Sequence, residues 1–245
     1  MVEVIPSEWF KGLNLSTTVL PREVDAIRRS IKAVMNLPDP QTGARIGKTK
    51  TGIYAFFDYD GEPIYVGQTA ESFSSRVGRH LTGQRSDSVA KYVLDPFEVF
   101  AIAMWSLPHI HADLPARERK SELNKYEFTI HHLLTEHSKF NAVLNEGDIP
   151  ECDLMELPDP VGGVIIPDDI FPDRSHPDVR IARRAQTVSL LAKNISERAV
   201  SKGLRRTLLT QTRRLVELSE RRFEAAGGAI PGIDENDGDV DELNE

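Results

Sequence analysis

The sequence predicts an α+β protein: a small three-stranded antiparallel sheet flanked by helices, with an N-terminal helix and a C-terminal helical extension. Two runs of β-branched and aromatic residues, 53–57 and 63–66, flank Asp60-Gly61, a dipeptide that favours tight hairpin turns. A third apolar and aromatic run, 97–105, is ended by Pro108. On both sides of these runs, apolar residues recur at helical spacing.

In chain order, residues 22–37 read as a helix. Pro21 suits its first turn, and Val24, Ile27, Ile31 and Val34 share a face. Residues 38–50 form a polar connector. After the hairpin, 72–81 read as a short helix capped by Ser72, with Phe73, Val77 and Leu81 four residues apart. A long helix is expected over 115–137, with Leu123, Tyr126, Ile130 and Leu133 on one face. Residues 145–177 are rich in Pro, Asp and Gly and read as an irregular arm with one short strand at 164–166. Two helices follow, split near Gly203, with stripes Val188, Leu191, Ile195 and then Leu204, Leu208, Leu215. From Gly227 the chain is Gly- and acid-rich and is expected to be disordered. This divides the chain into an N-terminal helical segment (1–50), a core domain (51–145), an acidic irregular arm (146–179), a basic helical extension (180–226) and an acidic tail (227–245).

Composition narrows the class. Hydrophobic content of 40% is ordinary for a globular protein. No apolar run approaches the roughly 18 residues of a membrane span, so no membrane partner is expected. The N-terminus lacks the basic start and apolar stretch of a signal peptide. The single cysteine, Cys152, excludes an internal disulfide and a cysteine zinc site, and a cytoplasmic location fits best. The net charge of −8 argues against a polyanion binder, but the charge is segregated. Residues 146–178 hold ten acids and one base, 180–222 hold twelve bases and three acids, and 223–245 hold eight acids and no base. A local basic surface is therefore available.

The residues that carry chemistry follow a fixed order: Gly52-Ile53-Tyr54, Tyr65-Val66-Gly67, Arg76, His80, Glu127 and Asn141. Arg76 and His80 stand at i and i+4 on one helix face, where both can reach one phosphate. His80 has the one side chain of the set that titrates near neutrality. Glu127 lies mid-helix, and a lone carboxylate suits Mg²⁺, which takes one or two carboxylates and keeps several waters. Taken singly, each residue has an ordinary explanation as a strand aromatic, a surface helix pair or a solvent-facing glutamate.

As an ordered set, these residues resemble the GIY-YIG nuclease superfamily over 51–145. Arg76 follows the second motif glycine by nine residues, and Asn141 follows Glu127 by fourteen. The second motif reads Tyr-Val-Gly in place of Tyr-Ile-Gly, a conservative change in a strand. The resemblance implies cleavage of DNA phosphodiesters with one divalent ion, Mg²⁺ or Mn²⁺, held by Glu127. It implies Tyr54 as the base and Tyr65 as the residue that orients water or phosphate. Asn141 would hold the site together by hydrogen bonds; Asn145 lies four residues on, and the Phe140-Asn141 pair favours Asn141. No zinc module or helix-hairpin-helix segment accompanies the motifs, so a restriction-like or stand-alone endonuclease is expected. The alternative is a non-catalytic DNA-binding or regulatory protein that retains the fold.

The basic helices offer Arg205, Arg206, Arg213 and Arg214 as contacts to DNA phosphates. Equally, these arginines could pair with the acidic arm or tail, and the apolar stripes leave a homodimer open. His109, His111, His131 and His132 lack acidic or cysteine partners at metal-ligand spacing and read as structural.

Overall fold

The computed structural model describes residues 22–81, 95–145, 147 and 149–230. The N-terminal stretch before Arg22 and the acidic tail from residue 231 lie outside the described residues, so the expectations for them are not addressed. The fold is α+β, as expected, around one antiparallel sheet. Its strands are β1 (Gly52–Phe57), β2 (Pro63–Thr69), β3 (Ala101–Ser106) and β4 (Val161–Val164). The sheet has four strands, not three, in the order β2-β1-β3-β4. The extra strand comes from the arm and lies three residues upstream of the expected one. Gly162 and Gly163 let it approach: a Cβ on Gly162 would sit 2.1 Å from the Ile102 carbonyl oxygen. β2 is the edge strand on the other side.

The β1–β2 hairpin turns through Asp58–Glu62, with Gly61 at φ +78°. Asp58 closes the turn, its backbone N–H donating to the Glu62 carbonyl at 3.0 Å and its Oδ1 accepting from the N–H groups of Asp60 and Glu62. The register sets Tyr54 opposite Gly67 and Phe56 opposite Tyr65. Alternation along the strands then gives the sheet two distinct faces.

On one face Tyr54, Phe56, Ile102 and Met104 pack against α1 (Arg22–Met35), α2 (Phe73–Leu81), α6 (Pro177–Glu197) and α7 (Lys202–Ala225), through Val34, Phe73, Val77, Leu191 and Leu204. On the other, Ile53, Ala55, Val66 and Trp105 pack against α3 (Pro108–Asp113) and α4 (Ala116–His137), through Ile110, Leu123, Tyr126 and Ile130. The terminal helices are thus part of the core. The remaining helix, α5 (Phe171–Ser175), is one short turn leading into α6.

The connector 38–50 is built around buried Asp39, which accepts from Thr49 Oγ1 and Ser106 Oγ at 2.7 Å and from Thr42 Oγ1 at 3.0 Å. These bonds outweigh the cost of burial and hold its carboxyl below the ordinary range. The break between the last two helices falls at 198–201, near Gly203 as expected. Ser201 Oγ caps α7 by accepting from the Leu204 N–H at 3.2 Å, and Gly203 is buried inside the first turn. α7 stops at Gly227 (φ +87°), where the Gly228 N–H donates to the Phe223 carbonyl and the Gly227 N–H to that of Glu224, both at 2.9 Å.

The basic extension is tied down by charge. Arg184 Nη2 donates to Asp58 Oδ2 at 2.8 Å and Arg180 Nη2 to Asp60 Oδ2 at 2.6 Å. Arg214 is 2% exposed and donates to the carbonyls of Pro63 (3.0 Å) and Ala142 (3.3 Å). Burial pushes the carboxyls of Asp58 and Glu98 up despite these arginines. It would do the same to Asp60, but Arg180 and Arg221 outweigh it and bring that group down to about 2. The expected choice between DNA and the acidic arm thus has a third answer for these residues: the acids at the hairpin tip and Glu98. Arg222 does pair with the arm, at Asp178 (2.7 Å).

Candidate active site at the edge strand

β1 and β2 deliver Tyr54 and Tyr65 to the same face, because Tyr65 sits opposite Phe56 and Tyr54 lies two residues from it. α2 runs across that face. Phe73 and Val77 bury one side of it, so Arg76 and His80 turn toward the tyrosines. Tyr54 Oη lies 2.8 Å from His80 Nε2 and accepts from Arg76 Nε at 3.3 Å. The Tyr65 and His80 ring centroids are 5.1 Å apart, and those of Tyr54 and Tyr65 are 6.1 Å apart. Burial works against the charge of Arg76, yet the two tyrosines outweigh it and hold its pKa up. The Tyr54 hydroxyl is thus flanked by the Arg76 guanidinium and the His80 imidazole.

Gly67 makes this seating possible. A Cβ there would lie 2.6 Å from Tyr54 Oη and 2.7 Å from Tyr65 Cε1. Gly52 does the same for Phe73 and the Trp105 carbonyl, each 2.4 Å from its would-be Cβ. The motif glycines are therefore packing requirements of the tyrosine cluster and of α2.

Glu127 approaches from the opposite face of the sheet. Gln68, one residue past Gly67, points away from the tyrosines toward α4. Its Nε2 donates to Glu127 Oε2 and to Asn124 Oδ1, both at 2.7 Å. Burial pushes the Glu127 carboxyl up, offset in part by this bond and by the charge of Arg76. The two halves meet at the outer edge of β2, where the charge of Arg76 acts on both Tyr54 and Glu127. An open groove of about 530 Å³ lies there, lined by Gln68, Thr69, Glu71, Arg76, Arg119 and Lys120. Arg119 is held by the Leu114 carbonyl (2.9 Å) and His111 Nδ1 (3.2 Å).

No protein-family model, curated protein or solved structure matches the chain.

Tyr54, Tyr65, Arg76 and His80 are thus brought together; Glu127 lies across the sheet, bonded to Gln68 and linked to the cluster through the charge of Arg76. Asn141 is not part of the group. It is exposed, at φ +49°, in the turn that ends α4, a conformation asparagine tolerates well. Asn145 takes the place expected for Asn141: its Oδ1 accepts from the Val66 N–H at 3.0 Å and its Nδ2 donates to the Val66 carbonyl at 2.8 Å. The expectation that Arg214 faces DNA is also corrected, because that side chain is buried; Arg205, Arg206 and Arg213 are exposed. Gln68, Asn124, Arg119 and Lys120 escaped notice in the sequence. Strand alternation past Gly67 and the i−3 position of Asn124 relative to Glu127 were the available signals.

Of the other histidines singled out by the sequence, His111 meets Arg119, His132 meets Glu136 at 3.3 Å and His109 lies edge-on to Tyr126, while the buried His131 Nε2 has no hydrogen-bond partner among the described residues. Among the described residues, no three His, Cys, Asp or Glu side chains converge as a metal cluster, and no helix is long and apolar enough to cross a membrane. Burial and Asp153 push the Cys152 thiol up, which disfavours its thiolate.

Proposed function

We propose that this chain is a metal-dependent endonuclease that hydrolyses DNA phosphodiesters by a GIY-YIG-type mechanism, as a restriction-like or stand-alone enzyme. The observation that carries the proposal is the Tyr54 hydroxyl set between His80 Nε2 and Arg76 Nε, on a strand edge that also presents Glu127. A phosphodiester hydrolase needs a base for water, charge to neutralise the phosphate, and both held in line. Tyr54 serves as the base: it releases its own proton along the 2.8 Å contact to His80 and takes one from a water admitted beside Arg76. Arg76 stabilises the phenolate and offers its outer nitrogens to a phosphate oxygen. Tyr65 orients the water or the phosphate. Lys120 and Arg119 line the groove where the flanking phosphates would run.

The donor set at Glu127 fits one Mg²⁺ or Mn²⁺. A single carboxylate is enough for an ion that keeps most of its waters, and Glu127 is partly buried with no directly bonded cation among the described residues. When bound, the ion would act as a Lewis acid toward the phosphate and its leaving oxygen. Gln68 fixes which carboxylate oxygen remains available to it.

One observation favours the non-catalytic alternative. Tyr54 is 0% exposed, as a purely structural tyrosine would be. Plasmid nicking with Mg²⁺, against an EDTA control, separates the two. The enzyme reading expects nicking that Glu127→Gln abolishes without loss of fold, and that Tyr54→Phe reduces far more than it lowers the melting temperature. A folded wild-type chain that binds DNA and leaves it intact under varied divalent ions would select the alternative.

A further inference from the structure

α7 packs one side on the core through Leu204, Thr207, Gln211, Arg214 and Leu218. Its opposite side carries Leu209, Val216 and Phe223, which are 52%, 49% and 52% exposed. Single exposed hydrophobics are common and mean little. These three are spaced by seven residues, so they form one stripe that drifts only about 20° per heptad along a helix of 24 residues. The charges beside the stripe are polarised along its length. Lys202, Arg205 and Arg206 are exposed near its start, Arg213 is exposed at its middle, and Glu220 and Glu224 are exposed near its end.

We infer that this face of α7 pairs antiparallel with α7 of a second copy of the chain. Antiparallel pairing about a two-fold axis is isologous: each half of the helix meets the other half of its partner. That arrangement sets Leu209 beside the partner's Val216 and Lys202 beside the partner's Glu224, with Arg205 and Glu220 facing across the same seam. A parallel arrangement would set like charges against each other. Double-stranded DNA would find Lys202, Arg205, Arg206 and Arg213 here, but it gains nothing from Leu209, Val216 and Phe223 and is repelled by Glu220 and Glu224, so the apolar stripe suits a second copy better. The polar residues Thr212 and Ser219 between the apolar layers make the contact a reversible one, governed by concentration. The inference is independent of the nuclease proposal, since it concerns a helix face remote from the tyrosine cluster.

Sedimentation velocity of the full chain over a concentration series tests it. Wild type should move from monomer to dimer in the micromolar range. Leu209→Asp combined with Val216→Asp should stay monomeric with an unchanged circular dichroism spectrum. Glu220→Lys with Glu224→Lys should weaken the dimer by roughly tenfold, as should Lys202→Glu with Arg205→Glu. These four exposed charges keep the test open should the aspartate variant fail to fold. Combining all four reversals should restore wild-type affinity. A wild-type monomer at every concentration, a dimer untouched by the charge reversals, or a fourfold variant that stays weak would each overturn the inference.

Discussion

Asn145 is the most exacting test of how this site is held. Its carboxamide meets both polar groups of Val66, accepting from the N–H at 3.0 Å and donating to the C=O at 2.8 Å. β2 is an edge strand, and Val66 turns those groups away from β1. The side chain therefore stands in for a peptide unit of the strand that is not there. Leu144 begins the same pattern by donating to the Ile64 carbonyl at 3.1 Å. Asn145→Ala strips two partners from a backbone segment buried between Tyr65 and Gly67. Each buried group left without a partner costs about 1–3 kcal/mol, and partial access of water at an edge favours the lower half, so the variant should lose roughly 2–4 kcal/mol. Asn145→Asp should do no better, since it keeps the acceptor but sets a carboxylate oxygen against the Val66 carbonyl. Urea unfolding followed by circular dichroism reads the difference. Asn141→Gly is the control: at φ +49° it should leave stability within about 0.5 kcal/mol of wild type. Should Asn145→Ala unfold at the wild-type midpoint, the clamp does not exist as described. Should Asn141→Gly lose nicking at full stability while Asn145→Ala keeps it, the site has been assigned to the wrong asparagine.

Three further outcomes are expected. Gly67→Ala should push Tyr54 Oη away from His80, because the new Cβ would start 2.6 Å from it, and should impair nicking more than a melting curve alone would suggest; normal turnover would mean that the seating of Tyr54 does not matter. Arg214→Leu should cost about 3–5 kcal/mol in urea unfolding, since Asp58 and the Pro63 carbonyl lose a buried partner; a near-neutral result would place Arg214 with the exposed arginines. Asp60 has a folded pKa of about 2, below the ordinary 3.8. The stability it contributes is full above about pH 4 and is lost as the pH falls toward 2, so Asp60→Asn should flatten the stability–pH curve in that window and leave the curve above it parallel to wild type.

Much of the fold was legible because its signals are local. The Asp60-Gly61 turn between two β-branched runs and the spacing of Leu123, Tyr126 and Ile130 each depend on residues a few positions apart. Tyr54, Tyr65, Arg76 and His80 could be placed together for the same reason: hairpin register and one helical repeat suffice. What could not be read depends on distant pairing. β4 is held by Gly162 lying against Ile102, a contact across some sixty residues that no periodicity announces. Asn141 and Asn145 differ by four residues and look alike in sequence. Only the path of the chain past β2 decides which one reaches Val66. Arg214 looked like a surface charge because its neighbours Arg205, Arg206 and Arg213 are surface charges. Its burial follows from the acids at the hairpin tip, a hundred and fifty positions away.

Those acids explain why so costly a device as three buried arginines is kept. Ion pairs of this kind add little net stability over well-packed apolar residues. They are specific about geometry, and geometry is what the site needs. The side chains of β1 and β2 alternate between faces, so a slip of one residue would carry Tyr65 from the His80 face to the α4 face and exchange Gly67 for Gln68 opposite Tyr54. The strand pair already carries an irregularity between Phe56 and Phe57, next to the turn, where such a slip would begin. Asp58 and Asp60 follow that point in the turn, and Arg180, Arg184 and Arg214 fix both from α6 and α7. Asn145 fixes the same strand at its other edge, at Val66. The C-terminal helices thus bear on the tyrosine cluster through the turn: they hold the hairpin in the one register that turns Tyr54 and Tyr65 toward His80 and Gln68 toward Glu127.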